Sequence, residues 1–587
     1  MPKSLNRVLG TLLALPVISI AAPDPTLNRQ AEGGLGAELQ KQLEKQLPPA
    51  NPLPKVGPIQ PSSKPVEKNN NEVRVYVKSY KIEGAFSISE QDIQVVLEPW
   101  INKALTLDEI QEAADAVAKL YTDRGLLAQV VLPPQKINED GVVLLKVMEA
   151  KLSSVKVDTG GADIRFSSER IAEYITYGNP IGQRLKMDSV ERAILILREV
   201  PGVSVTSELE PGDQDGDVSI KLLAAETPYL TGSITGSNYG SASTGHVQGI
   251  AGLNLNNFTG VGDLLRVTGI GTDGMSMGML NYSVPLSPAG WVLGFSSSYM
   301  SYKTVGSFAG SAGHSSTYGV NLTYPYIRSQ TTNINLVASY DRKLYTNKSL
   351  TTDAVVSNYQ VGDWTFSVSG NNYDDFMGGG ITTGSLGLVF GRWSSNTWDS
   401  SITSNYGQNN PFSYSKATYS LIRNQQIVKD ETILNVTLNG QFAFNNLDAV
   451  EKIYLGGPTG IRAFPTAQGG GDTGAIMNIE LQQAVYEKVI GFLFYDVGYV
   501  RQYHNKGTYD AVVLPDTTNA ANTYMLSGAG LGAKYAVDKL NLNATMAWPL
   551  QKNPLYNYSS AQGTYVRQNN DGKSGHPYFW VSLSYSF

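Results

Sequence analysis

From residue 227 onward, apolar residues recur at alternate positions in segments separated by clusters of Gly, Asn, Asp and Ser. Three clear apolar sets are Ile334, Leu336, Ala338 and Tyr340; Leu434, Val436, Leu438 and Phe442; and Phe579, Val581, Leu583 and Tyr585. A period of two predicts β-strands with one apolar and one polar face, the pattern of a transmembrane β-barrel with a wet lumen. A soluble sandwich shows similar alternation, but it rarely exceeds about 250 residues, and residues 227–587 exceed that length.

Residues 73–226 have the pattern of two soluble α+β units. Each unit combines short strands with a capped amphipathic helix, in the same order and over nearly equal lengths, which indicates an internal repeat. The predicted caps are Thr106 with Glu109 in the first unit and Asp188 with Glu191 in the second. Gly125 ends the first helix at the expected C-terminal position. We assign the units to residues 73–150 and 151–226.

The first residues have the pattern of a secretory signal peptide. Lys3 and Arg7 precede an apolar run from Val8 to Ile20, and small residues follow at a cleavage position. A membrane anchor is the alternative, but the run is shorter than the ~20 apolar residues that a span needs. We therefore assign residues 1–21 to a signal peptide. Insertion of the remaining chain into a membrane then requires a closed barrel, because lipid offers no hydrogen-bond partner to a strand edge.

Residues 22–47 contain a predicted polar helix with one narrow apolar stripe. The stripe consists of Leu35, Leu39, Leu43 and Leu47. Such a helix cannot form a core alone, so it docks elsewhere or stays solvated. Residues 48–72 form a predicted linker, and the seven prolines in residues 48–65 favour a semi-extended chain. The order predicts a detachable helix on a long tether.

Composition narrows the function classes. The chain carries a formal net charge of −6, so it has no overall positive charge that would attract nucleic acid. It has no Cys, which excludes disulfides and thiol chemistry. Only 16% of the residues are charged, and the 59 Gly and 33 Tyr suit a large β structure with aromatic girdles. The four His are widely scattered in sequence. We predict neither a metal site nor a cofactor.

Two glycine-rich motifs match nucleotide-binding or hydrolase patterns by composition. Gly269–Gly274 matches a dinucleotide fingerprint and Gly274–Gly278 matches a nucleophile elbow. Both lie among alternating strands and open no helix, so the required strand-to-helix context is missing. We interpret the first as a hairpin turn.

A second glycine-rich segment, residues 456–471, indicates a shaped loop between two strands. Arg462 lies in it, and Glu480 and Asp496 follow on predicted strands. If the apolar set of each strand faces lipid, both carboxylates face the lumen, because a carboxylate in hydrocarbon costs several kcal/mol. A lumenal carboxylate and a loop arginine invite a charge-assisted pair. The alternative is an Arg462 that stays in solvent and an Asp496 that is merely hydrated.

The order of signal peptide, tethered helix, two α+β units and barrel resembles the two-partner secretion (TpsB) transporters of the Omp85 superfamily, of the haemolysin secretion type. The resemblance covers nearly the whole chain. It lies in Tyr121, Arg124–Gly125, Leu132–Pro133, Gln135 and Gly141 of the first unit, in Leu197–Arg198 and Val200–Val203 of the second, and in Gly456–Pro458, Ile461–Phe464 and Phe494–Gly498 of the barrel. The usual loop tetrad of the superfamily is Val-Arg-Gly-Phe or Val-Arg-Gly-Tyr, and Ile461 and Ala463 depart from it.

The resemblance implies a membrane β fold: a sixteen-stranded transmembrane β-barrel after two periplasmic POTRA domains, with the N-terminal helix as a plug. It implies that the loop folds back into the lumen and that Arg462 pairs with Asp496. The implied loop positions are Gly456, Gly457, Pro458, Ile461, Ala463 and Phe464. The implied substrate-recognition positions of the first unit are Tyr121, Arg124 and Gly125.

The implied function is that of a transporter, not an enzyme, in a Gram-negative outer membrane. It would export an unfolded TpsA-type exoprotein, such as an adhesin, haemolysin or contact-dependent inhibition toxin, without nucleotide hydrolysis. Its other implied partners are outer-membrane lipid and the BAM machinery that assembles it, and we expect a monomer. An Omp85-type insertase, a passive porin and an outer-membrane hydrolase are the alternatives. Two units and a plug helix favour export.

Overall fold

The computed structural model of the chain describes residues 35–48, 52–57, 74–137, 140–214, 216–398, 411–505, 522–554, 556–559, 564–567, 569–573 and 575–587. The predicted signal peptide, and all of the predicted linker except residues 48 and 52–57, lie outside these ranges. Among the described residues, no helix combines the length and apolar character needed to cross a membrane. The described chain begins with helix α1, which spans Leu35–Gln46.

The first α+β unit contains two helices, a two-stranded sheet and a three-stranded sheet. Its elements are β1 (Arg74–Val77), β2 (Ser79–Glu83), α2 (Glu90–Leu97), β3 (Lys103–Thr106), α3 (Leu107–Asp123), β4 (Ala128–Val131) and β5 (Val142–Glu149). The larger sheet has the order β2-β5-β4, and β1 pairs with β3. The capping box of α3 is confirmed, because the Thr106 side chain accepts from the Glu109 N–H at 3.2 Å and the Glu109 carboxylate accepts from the Thr106 N–H at 2.7 Å.

The second unit repeats the sheet order of the first. Its elements are β6 (Lys151–Asp158), α4 (Ser168–Gly178), α5 (Met187–Glu199), β7 (Val203–Pro211) and β8 (Asp217–Glu226), in the order β6-β8-β7. The predicted cap of Asp188 with Glu191 is wrong, because α5 begins at Met187 and no side chain caps it. Its first N–H instead donates to the Gly125 carbonyl of the first unit at 2.8 Å. A tertiary contact has replaced the local cap.

Sixteen antiparallel strands close the barrel, as predicted. They are β9 (Leu230–Ser237), β10 (Gln248–Asn256), β11 (Leu264–Thr272), β12 (Met275–Pro285), β13 (Val292–Lys303), β14 (Ser311–Arg328), β15 (Thr332–Ser349), β16 (Ala354–Asp374), β17 (Gly380–Trp398), β18 (Phe412–Val428), β19 (Thr432–Ala443), β22 (Thr473–Tyr486), β23 (Val489–Arg501), β24 (Thr523–Val537), β25 (Leu540–Pro549) and β28 (Tyr578–Ser586). The loops carry the short pairs β20 (Ile453–Tyr454) with β21 (Gly470–Gly471) and β26 (Tyr556–Ser559) with β27 (Thr564–Arg567). The first and last strands pair from Ser582 opposite Ser237 to Ser586 opposite Ser233.

The two faces of β15 separate as the alternation predicts. On β15, Leu336 points outward and is exposed, whereas the neighbouring Asn333 and Asn335 are buried on the inside. The motif at Gly269–Gly274 lies on the end of β11 and the two-residue turn before β12, so it forms a hairpin.

Helix α5 packs against turns at one end of the barrel, which we call the proximal end. Arg328, beside the β14–β15 turn, makes a bidentate pair with Glu199 of α5, with nitrogen–oxygen distances of 2.6 and 3.1 Å. Arg192 of α5 donates to the Pro325 carbonyl at 2.5 Å. Since the strands alternate in direction, the long loop between β19 and β22 lies at the opposite, distal end.

Candidate functional site: the barrel lumen

The loop of residues 444–472, which we call the arginine loop, folds from the distal end into the lumen. Its apolar side chains join a buried cluster with residues of the wall. The loop members are Ile453, Leu455, Ile461, Ala463 and Phe464, and the wall members include Ile476, Phe492, Phe494, Val500 and Leu526. The loop is therefore packed as a small core and does not hang free in the pore.

Arg462 and Asp496, which the sequence analysis paired, lie in direct contact. The Asp496 carboxylate accepts from Arg462 Nε at 2.9 Å, from Arg462 Nη2 at 2.8 Å and from the Arg462 backbone N–H at 3.0 Å. Asn478 adds a fourth donor to Asp496 at 2.8 Å and donates to the Gly460 carbonyl at 2.9 Å. Asp496 is fully buried on β23, so each of these bonds replaces hydration that the carboxylate has lost.

Glu480 completes the site as a shared carboxylate on β22. It accepts from Arg462 Nη1 at 2.6 Å and from Lys534 Nζ at 2.7 Å. Gln482 also donates to it, at 2.8 Å. The guanidinium group thus bridges two adjacent strands, and the second carboxylate is balanced by a lysine from β24.

Aromatic and small side chains shape the space around Arg462. The guanidinium carbon lies 3.5 Å from the centre of the Phe494 ring, a cation–π contact. The Trp580 indole N–H donates to the Arg462 carbonyl at 2.7 Å, a contact that the sequence analysis missed. A Cβ atom added at Gly528 would lie 2.3 Å from the Cβ of Ala463, so this wall position needs a glycine.

The other predicted loop positions form a tight turn that presents Arg462. The Ile461 N–H donates to the Leu455 carbonyl at 2.8 Å, and the Gly457 N–H donates to the Phe464 carbonyl at 3.1 Å. Gly457 has a φ of +114°, which disfavours other residues, while Pro458 is half-buried beside it. A side chain at Gly456 would meet the Pro465 carbonyl at 2.3 Å. Ala463 is not among the positive-φ residues, so this backbone accommodates the departure from glycine.

Helix α1 lies inside the barrel. Leu39 and Leu43 are buried against the inner faces of β11, β12 and β13, and Leu35 and Leu47 are half-buried at the ends of the same stripe. The barrel contributes Ile270, Met275, Met277, Met300 and Tyr302 to this contact. On the opposite side of the helix, Ala37 packs in a cluster that includes Tyr345 and Trp393. The helix thus lies in the lumen between the wall formed by β11 to β13 and a second cluster made of wall and arginine-loop residues.

Polar contacts join α1 to the barrel and to the arginine loop. Gln40 donates to Thr317 of β14 at 2.6 Å, and Lys45 donates to the Tyr454 carbonyl of the loop at 3.2 Å. A cavity of about 340 Å³ remains beside Lys41 and Glu44 of the helix. The helix therefore narrows the lumen without filling it.

A cluster of buried charges lies near α1, and the sequence analysis missed it. Glu451 of the arginine loop pairs with Lys343 of β15 at 2.6 Å and with Lys416 of β18 at 2.7 Å. Lys343 also pairs with Asp363 of β16 at 2.8 Å. The alternation along their strands places Lys343, Asp363 and Lys416 on the inward face. The contact of the two lysines with Glu451 depends on the path of the arginine loop, which the alternation does not predict.

The described part of the linker leaves the lumen at the proximal end. Asn371 of β16 donates to the Pro54 carbonyl at 2.6 Å. The Gly57 N–H donates to the Gln330 carbonyl at 3.2 Å, and the Gln330 N–H donates to Glu191 of α5 at 3.2 Å. The β14–β15 turn therefore contacts both the linker and the second unit.

The structure separates the three predicted recognition positions of the first unit. Tyr121 is fully buried and its hydroxyl donates to Glu149 at 3.1 Å, whereas Arg124 is exposed and pairs with Asp92 at 3.0 Å. Gly125 has a φ of +72° at the end of α3. Only Arg124 of the three offers a side chain to solvent.

Glu149 joins the two units at their junction. It is nearly buried and pairs with Arg184 of the second unit at 2.7 Å. Burial by itself raises the pKa of Glu149, but hydrogen bonds from the N–H groups of Ser87 and Phe86 outweigh it and hold the pKa below its ordinary value. The junction is therefore built around an ionised carboxylate.

Comparison with known families adds to this geometry. The model of the family "Haemolysin secretion/activation protein ShlB/FhaC/HecB" matches residues 216–535, and that of the ShlB-type POTRA domain matches residues 75–150. The chain belongs to this family. It is a TpsB transporter of the Omp85 superfamily, located in the outer membrane, and it exports a partner protein. The proximal end of the barrel, which carries the POTRA domain, accordingly faces the periplasm.

Individual relatives extend over most of the chain. The heme/hemopexin transporter protein HuxB of Haemophilus influenzae strain 86-028NP is 22% identical over 570 residues, covering 93% of this chain and 94% of the relative. The outer membrane transporter CdiB of Escherichia coli is 23% identical over 494 residues, covering 82% and 81%. The solved structure of E. coli CdiB matches with a TM-score of 0.67 at 18% identity, covering 97% of this chain and all of that one. CdiB from Acinetobacter baumannii matches with a TM-score of 0.60 at 17% identity, covering 94% and 96%.

Proposed function

We propose that the transporter threads an unfolded partner protein through the barrel lumen, and that α1 plugs the lumen at rest and leaves it during export. The observation that carries this proposal is the position of α1, which lies in the lumen between the inner wall and a cluster of wall and arginine-loop residues. An extended polypeptide and the helix compete for the same space. Export therefore requires α1 to move, and the Pro-rich tether permits that movement.

The arginine loop is the fixed partner of this movable helix. Its apolar cluster and the contact of Arg462 with Asp496 and Glu480 hold it on the inner wall. We propose that this arrangement keeps the lumen open to a passing chain after α1 has left. The loop also contacts α1, because Lys45 of the helix donates to the Tyr454 carbonyl of the loop. The resting loop therefore helps to hold the helix in the lumen.

We propose that the periplasmic units capture the partner before it enters the barrel. Strands β2 and β4 of the first unit and β6 and β7 of the second are at the edges of their three-stranded sheets. A strand edge accepts an extended peptide by backbone hydrogen bonding, which tolerates many sequences. Arg124 is exposed near this region and is our candidate for a selective contact.

The finer partner assignments are part of the same proposal. The barrel closes within one chain, which supports a monomer as the working unit. Its outward apolar side chains support contact with outer-membrane lipid. We expect assembly by the BAM machinery, and export driven by folding of the partner outside and not by nucleotide hydrolysis. The partner's class, whether adhesin, haemolysin or toxin, is set by its own sequence.

A reversible cross-link tests whether α1 must leave. The chain has no Cys, so Gln40→Cys with Thr317→Cys introduces one pair where the native side chains lie 2.6 Å apart. Bridging the pair with a short bis-thiosulfonate reagent is expected to stop secretion of the partner and to hold single-channel conductance at its resting value. A reductant is expected to restore both.

Each single-cysteine variant, treated in the same way, is the control. Continued secretion through a fully cross-linked transporter would show that the partner passes the helix in place, and the plug proposal would be abandoned. Deletion of residues 30–47 gives the complementary measurement, an increased conductance in planar bilayers.

A further inference from the structure

A hollow of about 870 Å³ lies on the outer wall of the barrel, across β15 to β18. Its floor and lower rim include Tyr340, Trp364 and Phe390, and its upper rim includes Arg342 and Arg392. Trp364 and Phe390 are each about half exposed, at 53% and 52%, so these side chains point away from the lumen. The transport mechanism makes no use of this surface.

The height of the hollow follows from the residues around it. Below the three aromatic rings, the outward side chains are apolar, as at Leu336, Phe366 and Leu388. Above them, toward the distal end, the outward residues of the next two rows include Arg342, Gln360, Arg392 and Ser394, with Leu344 as an apolar exception. Aromatic rings at such a transition mark the boundary between hydrocarbon and headgroups. Because the proximal end faces the periplasm, the two arginines lie at the headgroup level of the outer leaflet.

The strand register places the arginines around a gap. Arg342 on β15 and Arg392 on β17 both lie opposite Gly362 of β16. Their backbones are separated by two strand spacings, about 10 Å, and Gly362 puts no side chain between them. A Cβ there would lie 3.0 Å from the Tyr340 hydroxyl. The Tyr340 hydroxyl therefore lies over Gly362, and the hollow beside it leaves room for a small group between the two guanidinium groups.

These arginines have no carboxylate partner among the described residues. Arg342 donates to Gln360 at 2.8 Å, and Gln360 donates in turn to Ser394 at 3.2 Å. For Arg392, the described part of the chain provides no hydrogen bond or ion pair. None of the described residues that line the hollow is acidic. By contrast, the outward Arg423 of β18 is paired with Asp374.

We propose that this hollow binds the phosphate-bearing headgroup of an outer-leaflet glycolipid. Arg342 and Arg392 supply charge-assisted hydrogen bonds to a phosphate, and Gln360 and Ser394 supply neutral ones. The aromatic floor contacts the beginning of the acyl chains. Two arginines with no carboxylate partner among the described residues, a lining in which no described residue is acidic, and a position at the membrane boundary favour an anionic lipid over a soluble anion.

Native mass spectrometry of the detergent-solubilised full chain tests the proposal. The probes are diphosphoryl lipid A, monophosphoryl lipid A and inorganic phosphate. We expect a one-to-one complex with diphosphoryl lipid A, weaker binding of the monophosphoryl form, and no competition from millimolar phosphate. Replacing both arginines, R342A with R392A, is expected to weaken lipid A binding by about tenfold or more, because two charge-assisted contacts are lost.

The matched control removes two other outward cations, K303A with K348A, which lie together on β13 and β15 outside the hollow. This control and the charge-conserving pair R342K with R392K are expected to retain most of the binding. If the double alanine variant fails to fold, R392A alone provides the comparison, since Arg392 makes no polar contact with the described residues. The proposal would be overturned by an equal loss of binding in K303A with K348A or by unchanged binding in R342A with R392A. Displacement of lipid A by inorganic phosphate would also overturn it.

Discussion

The arginine loop and helix α1 occupy the same lumen but are held in different ways. The loop is fixed by a buried ion pair, a shared second carboxylate and an apolar cluster of its own. The helix uses a narrow stripe of leucines, Gln40 and Lys45, and its tether to the units is rich in proline. Under the proposed mechanism, the element that stays in the pore is held by ion pairs with the wall, whereas the element that leaves is held by apolar packing and by hydrogen bonds to neutral groups.

The largest expected effect comes from breaking the ion pair of the loop. Asp496→Ala leaves the Arg462 guanidinium buried with Glu480 alone, and loss of one partner of a buried pair costs about 3–5 kcal/mol. We expect the loop to leave the wall and secretion of the partner to be lost. Arg462→Ala should have the same effect, and the double variant should be little worse than either single one.

Secretion assays and urea unfolding of the solubilised barrel measure this loss. Arg423→Ala is the control, because its partner Asp374 lies on a partly exposed outer surface and such pairs contribute about 1 kcal/mol or less. Fully additive losses at Arg462 and Asp496 would contradict the idea that they act as one unit.

The next largest effect comes from weakening the contact between α1 and the barrel wall. Leu39→Ala removes a buried side chain from the contact with β11 to β13. It is expected to weaken the binding of α1 in the lumen by about 2 kcal/mol. A change of this size shifts the equilibrium by roughly thirtyfold toward the open pore. Single-channel recording should show longer open times. Leu47→Ala, at the half-buried end of the stripe, should show a smaller change; equal effects would mean that the stripe does not seat the helix.

A smaller effect tests the packing of the loop against the wall. Gly528→Ala places a Cβ atom 2.3 Å from that of Ala463, and such overpacking costs about 1–3 kcal/mol. Ala463→Gly removes the opposing atom and should restore most of the stability of the Gly528→Ala variant. The midpoint of urea unfolding is the measurement. An absence of rescue would place the strain elsewhere, for instance at the Trp548 carbonyl, which is 3.2 Å from the new atom.

The smallest expected effect concerns the tether. Asn371→Ala removes the hydrogen bond to the Pro54 carbonyl, worth about 1 kcal/mol, and should raise the frequency of pore opening a few fold. Asn372→Ala is the matched control, because it is the next residue of β16 and points to the exposed face. If both variants open equally often, the tether contact does not contribute to retention of the helix.

Much of the fold could be predicted from local pattern. The period-two alternation predicted strands and also the side on which each residue lies, so Glu480 and Asp496 were expected in the lumen before their partners were known. The capping box at Thr106 needs only residues three apart and was predicted for the same reason. The predicted cap at Asp188 was wrong, because a carbonyl of the other unit accepts from the first N–H of α5.

The sequence by itself determined the order of the elements, the face of each strand and the presence of a shaped loop with an arginine, because these depend on neighbours along the chain. Only the tertiary structure decided that Glu480 is shared with Lys534, that Tyr121 is buried, that Glu451 meets two lysines and that Arg342 and Arg392 flank one glycine. Each of these contacts joins residues that are distant in sequence. They depend on strand register, on the closure of the barrel and on the path of a loop through it, which the spacing of residues along one strand does not specify.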